Sequence, residues 1–300
     1  MATTSHNSPA PSDPAPGVRS VTSGDDAPTG IAAGARRVRV HHLQQAKERG
    51  EKITMLTAYD AATAAIMDAA GIDTLLVGDS IGNTMLGHAT TLPVTLDDMV
   101  RAGRAVASVT QHAFVVVDLP FGTYEAGPEQ ALASAVRIMK ETGASAVKLE
   151  GGRRSAAQIQ AITSAGIPVV GHLGYTPQSE NALGGPRVQG RGDDAAEELS
   201  QDALAVQEAG AVAVVLEMVP VEVAARITEF LAIPTIGIGA GPDVDGQVLV
   251  WTDMAGMTDW SPRFARRYAE LGRVLGQAVT DFAAEVRTGA FPAPEHAFQQ

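Results

Sequence analysis

Cysteine is absent from all 300 residues. That removes disulfides, thiolate metal ligands and cysteine nucleophiles together, and it fits a reducing compartment. Positive charge is also in short supply: 22 Lys and Arg stand against 34 Asp and Glu, a formal net charge of −12. Such a chain lacks the basic surface that nucleic acid or an anionic membrane needs. Small anionic substrates stay open, because a bound cation reverses the sign locally. Nor is there an apolar run long enough to span a bilayer, or a basic start followed by an apolar segment. The expectation is a soluble, cytoplasmic protein with neither a nucleic-acid nor a membrane partner.

What is present is a large apolar inventory, 45% of the residues, arranged in short bursts. Residues 1–35 stand apart. They are rich in Pro, Ser, Ala, Thr, Gly and Asp with hardly a large apolar side chain, so they cannot offset their ordering entropy and read as a disordered tail. The cluster Arg36-Arg37-Val38-Arg39-Val40 marks the start of a single domain, 36–300. Strand-like runs follow at 52–57, 75–77, 114–117, 146–149, 168–170, 212–216, 234–238 and 247–250, and helical patterns separate most of them. Thr95 is placed to cap one helix, Pro128 to open another and Gly143 to close it. A long helix is expected over 263–287, with a break near Gly272 or Gly276. Strand–helix alternation with little hairpin chemistry implies a parallel sheet, and about eight strands favour a closed (β/α)8 TIM barrel. One join is awkward. Only about eight residues separate the seventh and eighth strands, short for a right-handed crossover carrying a helix.

Four of these runs end in an acid: Thr74-Leu75-Leu76-Val77-Gly78-Asp79, Phe114-Val115-Val116-Val117-Asp118, Ala146-Val147-Lys148-Leu149-Glu150 and Val212-Ala213-Val214-Val215-Leu216-Glu217. Any one of them could cap the following helix. Together, at the mouth of a barrel, they would be charged groups out of water, which need partners or a metal. Oxygen ligands without cysteine point to a hard cation, Mg2+ or Mn2+ ahead of Zn2+. Lys148 lies two residues before Glu150 and so faces the same side. Pointing inward, it would hold an anionic oxygen; at a sheet edge, it would merely snorkel to solvent. His172 closes the fifth run as a structural or a catalytic imidazole. Ser80, beside Asp79, suits a hydrogen bond to substrate. Gly237-Ile238-Gly239-Ala240-Gly241 invites a phosphate-binding reading, though tight turning explains glycines as well.

Ten segments in order resemble one family, ketopantoate hydroxymethyltransferase. They are Thr57-Ala58-Tyr59-Asp60, Val77-Gly78-Asp79-Ser80-Ile81-Gly82, Thr91-Leu92-Pro93-Val94-Thr95, Asp118-Leu119-Pro120-Phe121 and Val147-Lys148-Leu149-Glu150-Gly151-Gly152, then Gly171-His172-Leu173-Gly174, Thr176-Pro177-Gln178, Val188-Gln189-Gly190-Arg191-Gly192-Asp193, Leu216-Glu217-Met218-Val219-Pro220 and the Gly237–Gly241 segment. The resemblance implies a barrel of the phosphoenolpyruvate/pyruvate type, assembled as a homodecamer. It implies Mg2+ on Asp79, Asp118 and, less directly, Glu150, oxo-acid contacts at Asp79, Ser80, Asp118 and Lys148, and Glu217 as general base. The implied reaction moves a hydroxymethyl group from 5,10-methylenetetrahydrofolate to 3-methyl-2-oxobutanoate through a Mg2+-stabilised enolate, giving 2-dehydropantoate, the first step of pantothenate synthesis.

Pro186, Met218 and Thr252 depart from the family's common pattern, and none of them is an expected ligand or the base. Two enzyme rivals are a related carbon–carbon lyase, which the missing cysteine disfavours, and a barrel acting on a phosphorylated substrate through Gly237–Gly241. A non-catalytic ring scaffold is a third alternative.

Overall fold

The computed structural model describes residues 30, 31 and 36–298. The segment expected to be a disordered tail lies outside these residues except for Gly30 and Ile31. Ile31 packs at the base of the molecule, its N–H donating to Asp73 Oδ1 at 2.9 Å.

Eight parallel strands close into a barrel: β1 Ile53–Thr57, β2 Thr74–Val77, β3 Phe114–Asp118, β4 Ala146–Glu150, β5 Val169–Gly174, β6 Ala213–Glu217, β7 Thr235–Ile238 and β8 Gly246–Leu249, with β8 returning to β1. Every residue of β2, β3 and β4 is buried, as continuous apolar runs covered on both faces should be. The two faces fill different spaces. Leu75, Val77, Val115, Val117, Val147 and Leu149 pack outward against the helices. Leu76, Phe114, Val116, Ala146, Val170, Ala213, Val215 and Ile236 fill the barrel interior. Helix Val40–Arg49 plugs the base, adding Leu43 and Ala46 to that interior.

This alternation decides what stands at the mouth. Side chains point inward at every second residue, so the inward series Val116, Asp118 on β3 ends in an acid. On β4 the series Ala146, Lys148, Glu150 ends in a base and an acid. On β5, Val170 leads to His172, and on β6, Val215 leads to Glu217.

Helix boundaries follow local chemistry. Thr95 caps Leu96–Val109 in a capping box with Asp98, Pro128 opens Pro128–Thr142, and Gly143 ends it at φ 76°, where a side chain would be strained. The awkward join resolves simply: β8 is real, and residues 239–245 carry no helix at all. Because Ile236 pairs with Gly246, the chain needs only a short return, and seven residues can reach up to roughly 25 Å.

The C-terminal helix differs from expectation. It begins at Leu271 rather than 263 and runs unbroken through Gly272 and Gly276 to Thr288. Residues before it are tied down in irregular form by hydrogen bonds such as Tyr268 N–H to Met254 O (2.8 Å). Gly272 is needed for close approach, since a Cβ there would meet Met257 O at 2.4 Å. No residue of this helix is buried among the described residues, and Val274, Leu275, Val279, Phe282 and Val286 are 48–60% exposed. Within the described residues no helix is long and apolar enough to cross a membrane.

Asp68 shows how a buried acid can be purely architectural. Its carboxylate accepts the backbone N–H groups of Gln111 (2.8 Å), His112 (3.1 Å) and Ala113 (2.8 Å), shaping the turn that delivers β3. Asp68→Ala should lose about 3 kcal/mol, because three backbone donors, that of Ala113 buried and those of Gln111 and His112 partly so, lose a charged acceptor. Urea unfolding will show it as a lower midpoint with unchanged slope.

Candidate active site

Asp79, Asp118, Lys148, Glu150 and His172 are all buried at the C-terminal end of the barrel, and Glu217 stands beside them with its side chain 16% exposed. They form one connected path. Asp118 Oδ2 accepts the Asp79 N–H at 3.0 Å, and Asp118 Oδ1 lies 3.1 Å from Lys148 Nζ. Lys148 Nζ is 3.4 Å from His172 Nδ1, which is itself 3.3 Å from Glu150 Oε1. On its other side, His172 Nε2 is 3.1 Å from Glu217 Oε2.

Several of these are charge contacts without aligned hydrogen bonds. Asp118 Oδ1, Glu150 Oε1 and His172 Nε2 are buried with no well-directed partner. Distance and direction disagree at these atoms; the distances establish ion pairing, and the directions leave room for a further ligand.

The backbone at each strand end is shaped for this arrangement. A Cβ on Gly78 would stand 2.8 Å from Ser80 Oγ, so glycine lets the chain bend tightly after β2. Ser80 Oγ lies at the rim, 2.8 Å from Tyr59 Oη. Gly174, at φ 88°, passes so close to β6 that a Cβ would sit 2.1 Å from Glu217 O. The Glu217 carbonyl also accepts the Tyr175 N–H at 2.8 Å. Directly after Glu217, Met218 adopts φ 49°, the one positive value outside glycine among the described residues, a conformation that costs a residue with a side chain on the order of 1 kcal/mol. Hydrogen bonds from Met218 N–H to Ile238 O and from Gln189 N–H to Met218 O, both 2.9 Å, hold it there.

Burial dominates the electrostatics. It pushes Asp118 up to about 6 despite Lys148, with the charge of Asp79 acting in the same direction. Asp79 is raised by burial and by Glu150. For Lys148, burial acts downward, but Asp118, Glu150 and Asp79 overcome it and the net shift is upward. Burial and Lys148 also push His172 down, yet the contacts with Glu150 and Glu217 carry it up to about 9, so the imidazole is cationic at neutral pH.

Two participants have no role legible in the sequence. Gln178, quoted only within a motif, reaches across the mouth from the turn after β5 and donates to Asp79 Oδ2 at 2.9 Å. Tyr124 donates to Gln178 Oε1 at 2.6 Å and accepts the Glu150 N–H at 3.3 Å. Neither signals itself by position, since both sit in loops. Beside them a cavity of about 260 Å3 opens between Phe121, Arg154 and Gln158.

The glycines at 237–241 serve packing: Cβ atoms would crowd Val244 at Gly237, Phe264 at Gly239 and Val221 at Gly241. Thr252 is buried near the C-terminal end of β1, where the neighbouring Trp251 N–H donates to Thr57 Oγ1 at 3.0 Å.

A closed parallel barrel with buried acids, a lysine and an imidazole at its C-terminal mouth defines a barrel enzyme whose chemistry lies in that mouth. A profile of the family described as ketopantoate hydroxymethyltransferase matches residues 37–294. The 3-methyl-2-oxobutanoate hydroxymethyltransferase of Leifsonia xyli subsp. xyli is 61% identical over 264 residues, 88% of this chain and 95% of that protein. Its counterpart in Saccharopolyspora erythraea is 61% identical over 274 residues, 91% and 93% of the two chains. Among solved structures, phosphonopyruvate hydrolase in complex with oxalate and Mg2+ has a TM-score of 0.55 at 17% identity, covering 86% of this chain and 92% of its own. For 2,3-dimethylmalate lyase, a member of the PEP mutase/isocitrate lyase superfamily, the values are 0.54, 16%, 87% and 92%. These two share the fold. The chain belongs to the ketopantoate hydroxymethyltransferase family and is a transferase.

The charged His172 has a consequence for stability. Its pKa is raised on folding, so its contribution is complete below the unfolded value of 6.5 and is lost as pH rises through about 9. Without added metal or substrate, wild-type unfolding free energy should fall by about 3 kcal/mol across that window relative to His172→Gln. Asp118 acts with the same sign at lower pH, between 3.8 and about 6. Urea titrations of both proteins at pH 6 to 9.5 measure the difference.

Proposed function

We propose that this enzyme transfers a hydroxymethyl group from 5,10-methylenetetrahydrofolate to 3-methyl-2-oxobutanoate, giving 2-dehydropantoate at the start of pantothenate synthesis in the cytoplasm. The observation that carries this reading is the continuous polar path from Asp79 to Glu217 in a chain 61% identical to a relative of that name.

The donor set also supports Mg2+. Asp79, Asp118 and Glu150 offer oxygen only, there is no cysteine, and Asp118 Oδ1 and Glu150 Oε1 are buried without aligned partners. Among the described residues no three acidic or imidazole side chains already stand at ligand spacing, so substrate or water oxygens would complete the coordination. A bound Mg2+ supplies Lewis acidity toward the 2-oxo group.

The protein's own groups do the rest. Glu217, the most open of the four acids, takes the proton from C3 of the oxo acid. His172, 3.1 Å away, holds that carboxylate in place with its positive charge. Lys148 faces the oxygen on which negative charge develops, and Ser80 at the rim binds the substrate carboxylate. C3 then forms its bond to the folate methylene carbon. Cleavage of the carbon–nitrogen bonds and addition of one water leave the CH2OH group on the product and release tetrahydrofolate.

Glu217→Gln should abolish deuterium exchange at C3 of 3-methyl-2-oxobutanoate in D2O, monitored by NMR, and lower turnover by at least about 100-fold. Exchange that persists in the variant, or that needs no divalent ion in the wild type, would refute the assignment.

The same reading includes self-association, with a homodecamer as the expected form. The exposed stripe Val274, Leu275, Val279, Phe282 and Val286 lies along one side of its helix, and soluble proteins seldom leave such a stripe in water. Val279→Glu with Phe282→Glu should reduce the particle mass measured by light scattering. An unchanged mass would place the contacts elsewhere.

A further inference from the structure

We propose that Gln178 is a positioning residue that leaves Asp79 and Glu150 with one oxygen each free of aligned hydrogen bonds, and that it thereby sets the preference of the site for Mg2+ over Ca2+. This rests on the reading that a divalent cation binds at the barrel mouth.

Gln178 is buried, and every polar atom of its side chain is committed. Nε2 donates to Asp79 Oδ2 at 2.9 Å and to Leu119 O at 3.0 Å, while Oε1 accepts from Tyr124 Oη at 2.6 Å. The orientation of the amide follows from these partners. Asp79 Oδ2 and Leu119 O are acceptors only, so a reversed amide would set oxygen against oxygen twice. The backbone takes part as well: Gln178 N–H donates to Glu150 Oε2 at 3.1 Å. Tyr124, which anchors the amide, is fixed in turn by the Glu150 N–H at 3.3 Å. One residue from the turn after β5 thus ties together the ends of β2, β3 and β4.

Consider what remains free. Asp79 Oδ2 is engaged and Oδ1 has no hydrogen-bond partner among the described residues. Glu150 Oε2 is engaged, and Oε1, 3.3 Å from His172 Nδ1, is buried without an aligned hydrogen bond. Asp118 repeats the pattern through the Asp79 backbone, with Oδ2 engaged and Oδ1, 3.1 Å from Lys148 Nζ, unaligned. Each acid therefore has one oxygen without an aligned hydrogen bond to turn toward a cation, those of Glu150 and Asp118 shared with His172 and Lys148. Mg2+ takes six ligands in strict octahedral geometry and suits single oxygens; Ca2+ takes six to eight and readily uses both oxygens of one carboxylate. Restricting the carboxylates to one oxygen denies Ca2+ that arrangement. Release of Asp79 Oδ2 restores it.

The test uses the purified full-length protein in its native assembly, without substrate. Mg2+ and Ca2+ are each titrated against bound Mn2+, observed by EPR, in wild type, Gln178→Met and Tyr124→Phe. Gln178→Met keeps length and removes the amide; Tyr124→Phe removes only the phenolic oxygen and is the variant to rely on should the first fail to fold. Expected is a fall of about 10-fold in the ratio of Ca2+ to Mg2+ dissociation constants for Gln178→Met, on the scale of changes to partners of metal ligands, and a smaller fall of the same sign for Tyr124→Phe. Both affinities weakening together with the ratio unchanged would overturn the proposal and leave Gln178 a structural residue. Absence of Mn2+ binding in the wild type, or binding undiminished by Asp79→Asn, would instead overturn the cation reading on which it rests.

Discussion

Burial of charge is the constraint around which the barrel mouth is organised. An isolated carboxylate taken out of water costs several kcal/mol, and such groups persist only with partners of opposite charge and hydrogen bonds. Here Asp79, Asp118 and Glu150 are nearly sealed from solvent, with Lys148 and a cationic His172 between them. The two positive charges offset only part of the negative charge of four acids. The Gln178 side chain and backbone N–H and the Asp79 backbone N–H supply neutral hydrogen bonds to parts of the remainder. The imbalance that is left is confined to a few oxygen atoms, and those are the atoms on which chemistry can act.

The architecture that confines them is simple. Period-two alternation sends the apolar residues of β3 to β6 alternately to the helices and to the interior, and the same alternation, carried one or two residues further, turns Asp118, Lys148, Glu150, His172 and Glu217 inward. Glu217 is additionally fixed by backbone geometry. Gly174 on one side and the left-handed Met218 on the other leave its carbonyl and its neighbour little freedom. The proton-abstracting role proposed for Glu217 would gain from such fixing, since misplacement lowers effective concentration steeply.

Much of this was legible in the residues. Apolar runs ending in acids marked β2, β3, β4 and β6, and Lys148 was placed on the same side as Glu150 by spacing alone. The sequence places the eighth strand within one residue, but the complete absence of a helix between β7 and β8 is not legible, because alternation creates an expectation that only strand pairing can correct. The C-terminal helix starts later than its composition implies. Residues 263–270 have helical composition, but hydrogen bonds to Met254 and Ala255 hold their end in another form. Gln178 and Tyr124 stayed hidden for a different reason. Loop residues have no periodicity to give away their direction, and their roles exist only once β2, β3, β4 and the turn after β5 converge. Met218 departs from the family's pattern at a position whose backbone is left-handed, which glycine, having no Cβ, would adopt more easily.

The helix Leu271–Thr288 carries a further consequence for how the protein forms. An isolated helix of 18 residues is marginal in water, and among the described residues none of this one is buried. A partner that covered Val274 to Val286 would couple the order of this helix to its own binding. If copies of the same chain provide that cover, the last element to become firm does so in a step whose rate and equilibrium depend on protein concentration. The barrel would be a property of the single chain, and its final helix a property of the population.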